Sequence, residues 1–315
     1  MTALADLTTR PVTFMGAPHS HDLSKAKAAI LGVPFDCGIH PFRIGSRQGP
    51  QAIREQSVLV RPYNPELADF NPVERLGLVD CGNVKLVPSK IEPAFAAIEQ
   101  AMDRIVSSGA VPVTMGGDGS VSLPQMRALA KRYPDMVALH VDSHTDNYTY
   151  VPEAKYSAAT QFTHAAEERL IDTRASYHVG IRGTTYMPRI MAQTQALGYR
   201  VITMKQFWRR GMDDVLAELH RELEGRPVYL CWDMDVFDPS VAPGVCSPTW
   251  GGFSAREGIE LIQGLAGLDI VAVDVNTVSP PHDVNNLSAY LAGYMMYEGL
   301  VLICRKLGLD QPVGN

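Results

Sequence analysis

Cysteine is scarce in this sequence: Cys37, Cys81, Cys231, Cys246 and Cys304 are the five in 315 residues. An odd number without paired spacing favours free thiols in a reducing compartment, and so a cytoplasmic protein. Positive charge is also short, with 28 Lys and Arg against 34 Asp and Glu and a net charge of −6. That balance removes the electrostatic reason to expect nucleic acid or an anionic membrane as partner, and a cationic small molecule suits it better. Long hydrophobic runs are missing. The opening MTALADLTTR lacks the apolar core of a signal peptide, and the most apolar stretch, 290–304, is too short to span a bilayer and contains Glu298. It reads as a buried C-terminal helix. The G-x-G-x-x-G spacing is absent, so Gly32, Gly38, Gly45 and Gly49 are loop glycines and not a phosphate-binding fingerprint. No repeat, low-complexity segment or linker divides the chain, which predicts a single domain over 1–315 with residues 1–26 as an N-terminal extension.

What is present is a recurrence of short, β-rich apolar runs: AAILGV (28–33), LGLVD (76–80), VPVTM (111–115), VALHVD (137–142), YHVGI (177–181), YRVIT (199–203), VYLCWD (228–233) and IVAVDV (270–275). Helical patterns separate them at 91–108, 121–133, 187–197, 213–224 and 254–266, the last with Ser254 as N-cap, and a final helix is expected at 286–307. Eight such runs with intervening helices predict an α/β protein whose parallel sheet is covered on both faces. Trp208, Arg209 and Arg210 read as an exposed turn. Segments 143–175 and 235–253 read as long irregular loops, which in compact α/β domains carry function beyond the carboxyl ends of the strands.

Two strand ends carry spaced acids: Asp142-Ser-His144-Thr-Asp146, and Asp233-Met-Asp235 with Asp238-Pro239 just beyond. Side chains at i, i+2 and i+4 of a strand project to one side, so each segment can present its ligands together. Acids at strand ends also cap loops and helices, but two such segments in one chain point to metal. Carboxylates and an imidazole without thiolate suit Mn, Fe, Co, Ni or Zn in a hydrolytic rather than a structural site. Clustered carboxylates with no cation would repel one another and lose solvation. Cys231, beside the metal strand, reads as a buried strand thiol.

The ordered set FDCG, GSRQGPQAIR, LVDCGNV, MGGDGS, HVDSHTD, VGIRG, WDMDVFDPSVAPG and VSPPHD resembles the ureohydrolases, the arginase and agmatinase family, across about residues 28–305. The resemblance implies a three-layer α/β/α arginase-like fold around an eight-stranded parallel sheet. It implies a binuclear centre in which Asp142 and Asp233 bridge two divalent ions, Ni or Mn, with Asp146 serving one ion and His144 and Asp235 the other. Three positions depart from the family pattern. Gly119 stands where the first ion's imidazole ligand belongs, Ala158 where a histidine passes protons to the leaving amine, and Thr277 where a glutamate holds the guanidinium. Asn83 replaces a usual aspartate, with a structural effect expected. His164 and His282 are the imidazoles that could stand in for a lost one, though packing roles suit both.

Losing a metal ligand, a proton shuttle and a substrate anchor together implies a catalytically degenerate subunit. The chain is similar to the accessory subunit of heteromeric nickel-dependent ureohydrolases that cleave biguanides such as metformin. The implied partner is an active ureohydrolase paralogue in a hetero-hexamer, acting on a small cationic guanidine or biguanide. The alternative is an active, agmatinase-like hydrolase of a guanidino, amidine or formimino substrate, built on the one complete ion site. A metal-dependent deacetylase of related fold is a third class, disfavoured by the DxDxxDP and SPPHD context.

Overall fold

The computed structural model describes residues 12–38, 42–67, 69–87 and 89–311. Eight strands form one sheet: β1 (Ala28–Gly32), β2 (Val79–Asn83), β3 (Val111–Met115), β4 (Val137–Val141), β5 (Tyr177–Ile181), β6 (Arg200–Thr203), β7 (Pro227–Asp233) and β8 (Asp269–Asn276). Their order is β2-β1-β3-β8-β7-β4-β5-β6, and every pairing is parallel. The helices are α1 (Gly49–Ser57), α2 (Pro72–Arg75), α3 (Ile91–Ser107), α4 (Ser122–Ala130), α5 (Gln161–Glu167), α6 (Ile190–Ala196), α7 (Met204–Arg210), α8 (Met212–Leu223), α9 (Ala255–Gly264) and α10 (Leu287–Lys306).

Strand alternation sends side chains into two cores. Ile30, Val113, Leu139, Leu230 and Val273 join one cluster with α1, α8, α9 and α10, whereas Ala29, Leu31, Ala138, Tyr229 and Ala272 join the other with α3, α4 and α5. This is the three-layer α/β/α architecture expected from two-faced apolar strands. Ser254 caps α9 in a reciprocal box with Glu257. α10 is long and apolar enough to cross a membrane by composition, but it is mostly buried against β8, α1 and α9, as a core helix is.

Several expectations need correction. The second strand begins at Val79 and not at 76, because Gly77 turns with φ +53° before the chain extends, and its far end is exposed on the sheet edge. Segment 143–175 is not wholly irregular, since Phe162 and Ala165 bury one side of the short helix α5. Residues 208–210 close α7, which is nucleated by a capping box between Thr203 and Gln206. Helix α1 carries Pro50 in its first turn, where a fixed φ suits a helix start. Of the expected N-terminal extension, residues 1–11 lie outside the described residues. Within residues 12–26, the stretch from Pro18 to Ser20 pairs with Asp80 of β2 through backbone hydrogen bonds, and Phe14 is buried with its N–H donating to the Asp80 carboxylate.

A buried ion pair ties α1 to the edge of the sheet. Arg54 Nε and Nη2 reach the two oxygens of Asp80 at 2.7 and 2.8 Å, and its Nη1 donates to Asn83 Oδ1 at 2.6 Å. Asn83 is thus a structural acceptor.

Candidate metal centre

Four central strands end side by side, and the loops leaving their carboxyl ends build one site. Register places Met115 beside Val275, Trp232 beside Val275 and Val141, and Asp233 beside Asn276. The residues just past these pairs are therefore neighbours: 116–120 after β3, 142–146 after β4, 233–235 at the end of β7, and Thr277 after β8. This is the crevice where ligands meet open parallel sheets. Two of these residues, Asp146 at φ +50° and Thr277 at φ +66°, hold left-handed backbone conformations that non-glycine residues rarely adopt. Such conformations concentrate at functional sites.

A cavity of about 350 Å³ opens over these strand ends. It is lined by His144, Asp146, Asp233 and Asp235 together with Gly119, Ala158 and Thr277, so the three positions at which the sequence was expected to depart from the family pattern share one space. Asp142 lies beneath, fully buried. The donor atoms of Asp142, His144 and Asp235 all lie within 4.8 Å of one another, and so do those of His140, Asp142 and Asp146, though both His140 ring nitrogens are already engaged, with Asp142 and with His178. His144 Nδ1 is 3.2 Å from Asp235 Oδ2 and 3.4 Å from Asp142 Oδ1. Asp235 is oriented by the Ser143 hydroxyl, which donates to its Oδ1 at 2.6 Å. Asp233 accepts the Asp235 N–H at 2.7 Å and the Thr277 hydroxyl.

Electrostatics say what this cluster wants. Burial pushes Asp235 up, helped by Asp142, and pushes Asp233 well up, helped by Asp235 and Asp142. Asp146 is raised well above the ordinary carboxylate range by burial and by Asp142. Burial works to raise Asp142 too, but His140 and His144 hold it well below that range. Burial opposes the charged form of His144, yet Asp235 and Asp142 keep its pKa well above normal. A divalent cation relieves repulsion among such groups. The oxygen and imidazole donors of Asp142, His144 and Asp235, with Asp233 adjacent, fit one ion.

The other expected ion meets a different surrounding. Asp146 Oδ2 accepts the side-chain amide of Gln161, and Gly119 provides no donor. His164 does not supply the imidazole expected near Gly119, because its Nε2 is bound to the Lys155 carbonyl at 2.7 Å and its ring packs against Tyr150 and Tyr156. His282 is turned to Ser279 Oγ at 2.8 Å. Neither lines the cavity. Asp118 also lines the cavity while bracing its loop, accepting the N–H groups of Cys37 and Gly38 at 2.7 and 3.1 Å, and burial pushes it up to about 6.

Sequence reasoning missed three participants. His140 Nε2 lies 2.8 Å from Asp142 Oδ2, and its Nδ1 lies 2.8 Å from Nδ1 of His178, which burial holds well below its ordinary pKa. Its signal was present, two residues before Asp142 on the same strand face. Gln161 had none, since only the fold brings it to Gly119. Cys231 is a buried strand thiol, raised well above its normal pKa by burial.

Known proteins share this fold. Residues 26–301 match the arginase family model. The chain is 34% identical over 294 residues to guanidinobutyrase of Pseudomonas aeruginosa, covering 92% of each. It is 35% identical to guanidinopropionase of the same organism, covering 93% of this chain and 92% of the other. Among solved structures, proclavaminate amidino hydrolase from Streptomyces clavuligerus superimposes with a TM-score of 0.89 at 30% identity, covering 95% and 98% of the two chains.

Proposed function

Because the chain belongs to the arginase family of ureohydrolases, we propose that it is a subunit of a divalent-metal-dependent hydrolase of guanidino C–N bonds whose own site is catalytically impaired. It works beside an active paralogue in a hetero-hexamer, with nickel or manganese as the metal and a guanidine or biguanide as the substrate of the complex. The observation that carries this reading is the meeting of Gly119, Ala158 and Thr277 in one cavity.

Each residue removes a separate need of the reaction. An ion held there would ionise a water molecule into a nucleophile, but a departing amine also needs a proton donor. Ala158 carries none, and His144 is the sole imidazole among the described residues lining the cavity. Thr277 spends its hydroxyl on Asp233 and offers a guanidinium no charge. Arg43, which also lines the cavity, adds a positive group where a cationic substrate needs the opposite, although the carbonyls of Pro243, Val245 and Cys246 engage it. The names of the relatives, guanidinobutyrase and guanidinopropionase, support a small guanidino compound for the complex. The five free thiols support a cytoplasmic location.

Co-expression with a complete ureohydrolase paralogue tests the assignment. The two chains should co-purify, and Asp233→Ala in this chain should leave the urea-releasing activity of the complex within about twofold. A large rate loss with assembly intact would refute the impaired-site assignment.

The convergence of Asp142, His144 and Asp235 favours one second reading, an active single-ion hydrolase. Without a glutamate at 277 its substrate would be less cationic, an amide or a formimino compound, and the purified metal-loaded chain would turn it over unaided.

A further inference from the structure

We infer that Gln161 takes the place of a second metal ion: its side chain fills the space beside Gly119 and engages Asp146, so this chain holds a single divalent ion. The inference rests on the family reading of the ligand positions, and it concerns how many ions are held and not whether turnover occurs.

Space is the first observation. A Cβ built on Gly119 would come within 2.5 Å of Gln161 Nε2, 3.0 Å of the Ala158 carbonyl oxygen and 3.2 Å of Asp146 Oδ2. Gly119 has no left-handed backbone that would demand glycine. What it yields is volume, and the Gln161 amide occupies that volume. The second observation is contact. The amide donates directly to Asp146 Oδ2, leaving no gap for an ion between that oxygen and the position a ligand at 119 would supply.

The third observation is that Gln161 is built in rather than draped across the site. It is buried and is the first residue of α5. The next residue, Phe162, is fully buried, with its ring 4.2 Å from that of His140. The Phe162 N–H donates to the Asp146 carbonyl at 3.2 Å, and its own carbonyl accepts the Tyr199 hydroxyl at 2.7 Å. Chain segments on both sides of the Gln161–Asp146 contact are thereby fixed. Gly119 and Gln161 form a matched pair that converts a two-ion pocket into a one-ion pocket, with Asp142, His144, Asp233 and Asp235 as the surviving ligands.

Ion counting on the full chain decides this. Wild type, Asp146→Asn, Gln161→Ala and the double variant Gly119→His/Gln161→Ala are each equilibrated with Ni²⁺ or Mn²⁺ alone and weighed by native mass spectrometry, with affinities from titration calorimetry. Wild type should carry one ion per chain, Asp146→Asn one ion with affinity within threefold, Gln161→Ala one ion, and the double variant two. Two ions on wild type, through a reoriented Gln161 oxygen, would overturn the inference. So would no ion at all, or a tenfold loss of affinity in Asp146→Asn. Should the double variant fail to fold, the isosteric Asp146→Asn comparison decides alone. Turnover by the chain alone with one ion bound overturns the partner reading and leaves this inference standing; two ions without turnover do the reverse.

Discussion

Arg54→Ala should destabilise the fold by about 3–5 kcal/mol, the usual cost of removing one partner from a buried ion pair. Both side chains are almost fully enclosed, and Asp80 also accepts the backbone N–H groups of Phe14 and Gly82 at 2.9 Å. Without Arg54 those two donors remain, but a buried carboxylate loses its cation. The loss should be read as a lower urea midpoint, with acid as a control. Burial works to raise the pKa of Asp80, but the hydrogen bonds and charge of Arg54 outweigh it and hold the carboxyl below its ordinary 3.8. A depressed carboxylate contributes stability above its unfolded value and loses it as pH falls through the folded value. The gap between wild type and Arg54→Ala should therefore be full above about pH 4 and shrink below it. A gap that widens in acid would contradict the pair's role.

Asp235→Asn should move two properties in opposite directions. Metal-free, the variant should melt higher by about 2 °C or more, the order that 1 kcal/mol gives in a large domain, because relief of burial and of the repulsion from Asp142 outweighs the lost His144 contact, His144 keeping Asp142 as its other carboxylate at 3.4 Å. Asn retains an oxygen for the Ser143 hydroxyl, so the local hydrogen bond survives. Affinity for Ni²⁺ or Mn²⁺ should fall by at least about 100-fold, since even partners outside the coordination sphere are worth 10–100-fold. Calorimetric melting and metal titration of the same protein check both halves. Unchanged affinity would remove Asp235 from the ligand set. A lower metal-free melting temperature would mean the carboxylates stabilise the fold unaided.

The central strands were legible to within a residue or two because parallel strands buried on both faces are continuous apolar runs. Of the two edge strands β2 was less so: it carries Asp80, Cys81, Gly82 and Asn83, a polar sequence with an exposed end. The helices missed are short or polar. α1 mixes Pro50, Gln51, Arg54 and Glu55, and α5 and α7 each span seven residues, too few for a periodic pattern to stand out. The candidate site was legible where chemistry is spaced along one strand, as in 142–146 and 233–235. Gly119, Ala158 and Thr277 stood out by resemblance, and the fold supplied what resemblance lacks, their common cavity. Gln161 was hidden because a glutamine 42 positions beyond Gly119 bears no sign of facing it. Gly119 can be read as an absence in the sequence; only the packed chain shows what fills it.

Urea release by the purified chain alone, loaded with Ni²⁺ or Mn²⁺ and offered guanidino acids, agmatine and a biguanide, tests the impaired-site account most directly. No turnover is expected with any of them, and activity is expected once a complete paralogue is added. Sustained turnover by this chain alone, abolished by Asp235→Asn, would contradict it and establish the single-ion hydrolase instead.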